Sequence, residues 1–234
     1  MDAPLPAPVH EHSKATLAVR DLGRLAYREA WELQKRLVAE RLAGRAPDTL
    51  LVVEHEPVIT VGRGTKGGFL AGDTGPGREP GGPEIVAVER GGQATWHGPG
   101  QIVVYPIVKL ADGHRDLHGF MRALEEAVIR TLAEFGLQAG RREGATGVWI
   151  DGRRKLCSIG VAASRWVTYH GLALNHEPDL SAFAAINPCG FDAAVMTSVR
   201  RELGENTPSR EELVKELVAL LQPALLPVRE TAGN

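Results

Sequence analysis

Two thiols, one lysine and a glycine-rich polar loop hold most of the chemistry this chain can offer. Cys189 stands in Ile186-Asn187-Pro188-Cys189-Gly190-Phe191, where the flanking proline and glycine favour a turn that presents the sulfur. A thiol is a competent nucleophile only as thiolate, and a nearby cation makes that form accessible near neutral pH. Cys157 competes for the role. It follows Lys155 by two residues on an expected strand, so both side chains share a face with backbones about 6–7 Å apart. Leu156 and Ser158-Ile159 around it suit a packed position, and a cysteine often behaves as a small buried hydrophobe. These residues alone leave the choice of thiol open. Lys155 closes the basic run Arg153-Arg154-Lys155. It is either part of a solvated corner or a cation and base turned into a cleft.

The loop is Arg90-Gly91-Gly92-Gln93-Ala94-Thr95-Trp96-His97-Gly98-Pro99-Gly100-Gln101, set between apolar runs at 85–88 and 102–108. A hairpin connection needs roughly two to five residues, so this one is over-long for its topology. Its cation, amides, hydroxyl and imidazole on a glycine backbone suit close approach to a ligand. His97 and His170 each precede a glycine beside an apolar strand, a placement that fits a polar group at a pocket rim. His114 and His118 have helical i, i+4 spacing, but no cysteine or carboxylate cluster completes a ligand set, so no metal is expected. No glycine-rich loop carries the lysine and hydroxyl residue of a phosphate cradle.

The elements that must position these groups follow from periodicity. Asp21 is expected to cap a helix reaching Ala43, with Tyr27, Ala30, Trp31, Leu37, Val38 and Leu42 as its apolar stripe. Residues 50–53 and 58–61 read as short strands, and 62–83 as a long loop dense in glycine and proline. Asp116 can cap a second helix that Gly136 stops. Residues 147–150 and 155–163 form a hairpin about Asp151-Gly152, and 166–174 a further strand. Ser209 with Glu212 marks a C-terminal helix. Helices and hairpins without strict alternation predict an α+β fold. One domain over 15–225 is expected, between loose tails at 1–14 and 226–234.

Composition narrows the partners. A formal net charge of -2 supplies no long-range pull toward nucleic acid or an anionic membrane. No apolar run is long enough to span a bilayer. Residues 1–14 hold prolines, acids and histidines where a signal peptide needs a hydrophobic region, so a cytoplasmic protein is expected. Two cysteines form at most one bridge, which excludes a disulfide scaffold.

Together the loop 90–101, Lys155-Leu156-Cys157-Ser158-Ile159-Gly160, His170-Gly171-Leu172-Ala173-Leu174-Asn175 and Ile186-Asn187-Pro188-Cys189-Gly190 resemble the octanoyltransferase family, also called lipoate-protein ligase B. The resemblance runs from about His55 to about Thr197 in the family's order. It implies a central mixed sheet flanked by helices, as in biotin and lipoate ligase catalytic domains. It implies that Cys189 forms the acyl thioester and that Lys155 lowers the thiol pKa, with Cys157 unused. Substrate contacts are implied at Arg90, Gly91, Gly92, Gln93, Ala94, Thr95, Trp96 and His97, and again at Ser158, Ile159, Gly160, Gly171, Leu172 and Ala173. Trp96 stands where the family pattern has tyrosine, so any hydrogen bond of that hydroxyl is lost.

The implied reaction moves octanoyl from octanoyl-acyl carrier protein to a lysine of apo lipoyl domains, those of 2-oxoacid dehydrogenase complexes and of the glycine cleavage H protein. The donor is a thioester and the product an amide, so no ATP is required. No cofactor of the enzyme's own is implied, since phosphopantetheine arrives on the donor, and a monomer is expected. Competing readings are an ATP-dependent lipoate or biotin ligase, an octanoyl amidotransferase between lipoyl domains, and a non-catalytic module that binds an acylated carrier.

Overall fold

A computed structural model describes residues 17–65, 82–186, 193–225 and Arg229. The N-terminal tail, most of the 62–83 loop, the segment that carries Cys189 and the C-terminal tail apart from Arg229 lie outside the described residues. Arg229 is no loose-tail residue: it is buried, with its Nε donating to Asp48 at 2.9 Å.

Seven strands form the main sheet. They are β1 (Ala18–Leu25), β2 (Thr49–His55), β6 (Gln101–Ile107), β10 (Val167–Asn175), β9 (Arg154–Ser164), β8 (Ala145–Ile150) and β7 (Gly140–Arg142), in that spatial order. The edge strand β1 runs parallel to β2, and the other pairings are antiparallel. A second sheet places β3 (Val58–Val61) between β4 (Glu84–Ala87), parallel to it, and β5 (Ala94–His97), antiparallel. The sheet is mixed and helices cover both its faces, the α+β arrangement expected.

Strand alternation divides the core. Leu50, Val52, Ile102, Val104, Leu172 and Leu174 pack on α2 (Leu117–Glu134) and α4 (Arg210–Leu225). The intervening Leu51, Val53, Val103, Tyr105 and Ala173 face α1 (Tyr27–Leu42). Such two-sided burial makes the central strands near-continuous apolar runs, and β6 is buried along its whole length. A short helix, α3 (Val199–Leu203), joins the last sheet residues to α4. Among the described residues no helix is long and apolar enough to cross a membrane.

Two expected caps are present. The Asp116 carboxylate accepts the His118 N–H at 2.8 Å at the start of α2. Ser209 and Glu212 exchange hydrogen bonds ahead of α4.

Two expectations are corrected. Asp21 caps no helix: it lies in β1, and α1 begins only at Tyr27. Pairing with β2 overrides the weak strand propensity of Arg20-Asp21, and Asp21 instead accepts a two-pronged bond from Arg210. The 90–101 segment is not a hairpin connection either. It contains β5, and the strands on either side of it belong to different sheets. Its length is what the crossing from one sheet to the other requires.

The β6–β10 contact depends on a missing side chain. A Cβ at Gly171 would lie 2.2 Å from the Val104 carbonyl oxygen and 2.7 Å from Pro106 Cδ. Backbone cannot yield as a side chain can, so Gly171→Ala must push β6 and β10 apart. We expect a loss of about 2–3 kcal/mol in chemical denaturation, typical of overpacking, and a Tm lower by roughly 4–12 °C. An unchanged unfolding midpoint would show that the strands are not held this closely.

Candidate active site

The small sheet leans on the α1 face of the main sheet, and a narrow slot runs between them. From β5, Thr95 and His97 face it, while Arg90, Gly92 and Gln93 of the preceding loop form one wall. The floor is strand backbone and small side chains: Ser158, Ile159 and Gly160 of β9, with Gly171, Leu172 and Ala173 of β10. Eleven of the fourteen residues expected to contact substrate therefore line one slot. Gly91 lines the cleft next to it. Ala94 and Trp96 do not face the slot, because they occupy the alternate positions of β5. Trp96 packs edge-on against Phe183, at 5.4 Å between ring centroids, in a cluster with Ile59, Ile186 and Met196.

A wall at Arg90–Gln93 can lie on β9 because Gly160 has no side chain. The Gly91 N–H donates to the Val161 carbonyl at 3.1 Å, and a Cβ on Gly160 would sit 3.0 Å from the Gly91 oxygen. Arg90 is expected to meet substrate, but much of its guanidinium is spent on its own surroundings. It donates to the carbonyls of Gly91, Gln93 and Thr60 and to the Thr60 hydroxyl, at 2.7–3.1 Å. Arg90 thus shapes the wall it belongs to, and its charge acts on the rings around it.

Sequence reasoning misses most of those rings. Tyr27, at the first turn of α1, lines the slot with Tyr105 and His170. His55 donates through Nδ1 to the Leu25 carbonyl at 2.9 Å, so its Nε2 accepts the Tyr105 hydroxyl at 2.7 Å. The Tyr27 ring stacks on His97 with 6.0 Å between centroids. His170 has a left-handed backbone, φ 57°, and its N–H is held by the buried Gln34 side chain at 2.8 Å. In the sequence Tyr27 reads only as core stripe. Periodicity finds burial, and cannot tell a ring in a core from a ring in a slot wall.

Burial sets the protonation of these groups. It pushes His55 down to about 4. Burial and then the Arg90 charge push His170 to about 4, and His97 is driven well below the ordinary imidazole range by burial, His55 and Arg90. Burial raises both Tyr27 and Tyr105. The slot is therefore lined by neutral rings at neutral pH, despite its polar residue names.

At one end the slot meets a wider cleft of about 510 Å³. Gly92, Gln93, Ile159 and Gly160 line both spaces. Lys155 lies on the cleft wall, 3 % exposed, with Nζ 5.2 Å from the centroid of Trp149, its partner across β8 and β9. The basic run thus splits: Lys155 turns inward, while Arg154 pairs with Glu202. Cys157 follows a bulge in β9 and is fully buried, with its thiol pushed up to about 12 by burial against the opposing pull of Lys155. It stays protonated at neutral pH. His114 and His118 form no metal cluster, and among the described residues no group of three or more histidine, cysteine or carboxylate side chains could hold one.

A narrow slot that meets a cleft holding a buried lysine, on a mixed sheet covered by helices, is an arrangement with the fold of lipoate and biotin ligase catalytic domains. The fold is similar to an archaeal bipartite lipoate protein ligase from Thermoplasma acidophilum (TM-score 0.64, 17% identity, 90% of this chain and 84% of that one). It also resembles a lipoate-protein ligase A bound with ATP (TM-score 0.63, 15% identity, 90% and 85%) and a biotin protein ligase from Aquifex aeolicus (TM-score 0.50, 12% identity, 90% and 69%). At such identities only the fold is shared.

Sequence relatives go further. The family model of the lipoyl protein ligase A/B catalytic domain matches residues 26–222. A protein of Rubrobacter xylanophilus named octanoyltransferase is 49% identical over 85% of this chain and 89% of its own length. One of Geobacter metallireducens with the same name is 45% identical over 92% and 98%. The chain belongs to the lipoyl protein ligase A/B catalytic domain family.

The buried neutral rings carry a stability cost in acid. His55 and His170 bind protons near 6.5 when unfolded and only near 4 when folded, so the unfolded chain gains protons first as pH falls. Their contribution is complete above 6.5 and is lost progressively toward about 4, on the order of 3 kcal/mol for His55 alone. Urea unfolding followed between those limits should show stability falling with pH, with a shallower fall in His55→Asn. A flat profile in the parent would contradict the burial of neutral imidazoles.

Proposed function

We propose that this chain is an octanoyltransferase of lipoate formation that works through a thioester on Cys189. The observation that carries the reading is the junction of slot and cleft: an apolar-floored channel for an acyl chain opens beside the buried amine of Lys155. The names of the relatives supply the acyl group. Burying methylenes contributes about 0.8 kcal/mol each, so an eight-carbon chain gains several kcal/mol in such a slot.

In the first half-reaction Lys155 takes the Cys189 proton, and the resulting thiolate attacks the thioester carbonyl of octanoyl-acyl carrier protein. The tetrahedral oxyanion is held by backbone N–H groups near Gly160 and Cys189. It collapses with loss of the phosphopantetheine thiolate, which takes the proton back from Lys155. In the second half-reaction the neutral amine of a lipoyl-domain lysine attacks the octanoyl-Cys189 carbonyl. Lys155 removes the amine proton and returns it to the departing Cys189 sulfur. No bond to phosphate is made or broken, so ATP has no role. The acceptors are apo lipoyl domains of 2-oxoacid dehydrogenase complexes and of the glycine cleavage H protein, met in the cytoplasm by a monomeric enzyme.

Two variants test the assignment. Incubation with octanoyl-acyl carrier protein should give an octanoyl adduct that peptide mass spectrometry places on Cys189, absent in Cys189→Ser. An adduct on Cys157, or product formed only from free octanoate with ATP, would sink it. Lys155→Arg keeps the charge without a usable base, so turnover should fall by about 10² or more. Near-parental turnover would remove Lys155 from the proton path.

A further inference from the structure

Gln101 and Asn175 belong to motifs already singled out, yet neither has a role in the reaction above. Both are buried, and their side chains are joined. The Asn175 Nδ2 donates to the Thr197 carbonyl at 2.9 Å, which turns its Oδ1 toward Gln101. The Gln101 Nε2 donates to that Oδ1 at 3.0 Å and to the Trp96 carbonyl at 3.3 Å. Both of those partners only accept, so the orientation of the Gln101 amide is fixed. Its Oε1 must therefore face His97 Nδ1, 3.1 Å away, and that nitrogen carries the hydrogen. A neutral His97 then has a bare lone pair on Nε2. At the far end, the Thr197 N–H donates to the Lys155 carbonyl at 3.0 Å, beside the bridge from Met196 to Lys155. One relay joins the slot wall to the strand of the buried lysine.

We propose that Gln101 and Asn175 are positioning residues of the transfer: they lock His97 in the Nδ1–H tautomer and tie that ring through Thr197 to the strand of Lys155. The tautomer matters because of what the slot holds. An Nε2–H in the wall would donate to the thioester carbonyl and draw it away from the lysine. A lone pair makes no such bond, and the carbonyl is left for the donors at the cleft. The inference rests on the acyl-transfer reading of the site.

The experiment has a spectroscopic arm and a kinetic arm. Nitrogen-15 spectra of the imidazole side chains in the parent, with His97 assigned by its loss in His97→Gln, should show a protonated Nδ1 and a bare Nε2. The kinetic arm follows single-turnover octanoylation of Cys189 from about pH 6 to about pH 8. Asn175→Asp keeps the shape and still accepts from Gln101, but an ionised carboxylate cannot donate to the Thr197 carbonyl. Its acylation should be roughly 10-fold slower at the alkaline end, with KM for the octanoyl carrier protein within about twofold. The deficit should shrink as pH falls, because a protonated carboxyl regains the donor. A purely structural role would lower Tm without that pH-dependent recovery. The proposal is overturned by an Nε2–H tautomer in the parent, or by folded Asn175→Asp that acylates within about twofold of the parent at every pH. Should Asn175→Asp fail to fold, Gln101→Glu, which still accepts from His97 but cannot donate to Asn175, decides by the same rate criterion. A parent that forms no octanoyl-Cys189 at all would instead refute the function, and the tautomer would still be read.

Discussion

The structure turns on two glycines facing each other across neighbouring strands. Gly160 of β9 pairs with Gly171 of β10; a methyl group has no room at Gly171 and would press on the Gly91 oxygen at Gly160. On Gly160 rests the loop that walls the slot, and against Gly171 lies the backbone of β6. A side chain at the first would crowd the loop, and one at the second would split the sheet. The slot floor is thus made of backbone, which lets an extended ligand lie close to the strands without a polar side chain to desolvate. The rest of the site is arranged about this bare patch: β5 on one side, the start of α1 on another, and Lys155 beyond its end.

Electrostatics divides the labour between slot and cleft. The slot has three histidines, two tyrosines and an arginine near it, yet burial keeps the rings neutral and Arg90 is largely bound to local carbonyls. A neutral, hydrogen-bonded wall can hold an acyl chain without attacking it. Cys157 illustrates the same rule in the neighbouring strand. It lies close enough to Lys155 to feel its charge, and complete burial still outweighs that help. Proximity to a cation does not make a thiolate when the sulfur has no access to water.

The sequence reveals the ingredients of the site better than their arrangement. Long apolar runs and two side-chain caps locate the central strands, α2 and α4, because burial on both faces and an N-terminal oxygen leave local signatures. β1 leaves none: its residues alternate weakly, and only its neighbour β2 makes it a strand. The residues expected to contact substrate come from a family resemblance, and the structure gathers most of them in one slot. Tyr27 and Tyr105, and His55 behind Tyr105, are not legible as parts of the site, since each comes from an element that reads as ordinary core. Asn175 and Gln101 escape for another reason. A relay of amides is a property of orientation, which spacing does not encode.

The strand β5 shows how a single element serves two purposes. Thr95 and His97 face the slot, whereas Trp96 points to the other side, where its ring contacts Phe183 and clusters with Ile186 and Met196. In the chain, Ile186 precedes and Met196 follows the segment that carries Cys189. Trp96 therefore belongs to the cluster that holds both anchors of that segment, outside the slot lining. This explains why an indole can stand where the family pattern has a phenol. The demand at that position is for apolar area beneath the two anchors, and the larger ring supplies it once Gly98 leaves space, since a Cβ there would lie 2.1 Å from the indole. The indole stands outside the slot lining, so in this chain position 96 contributes no side chain to the slot wall.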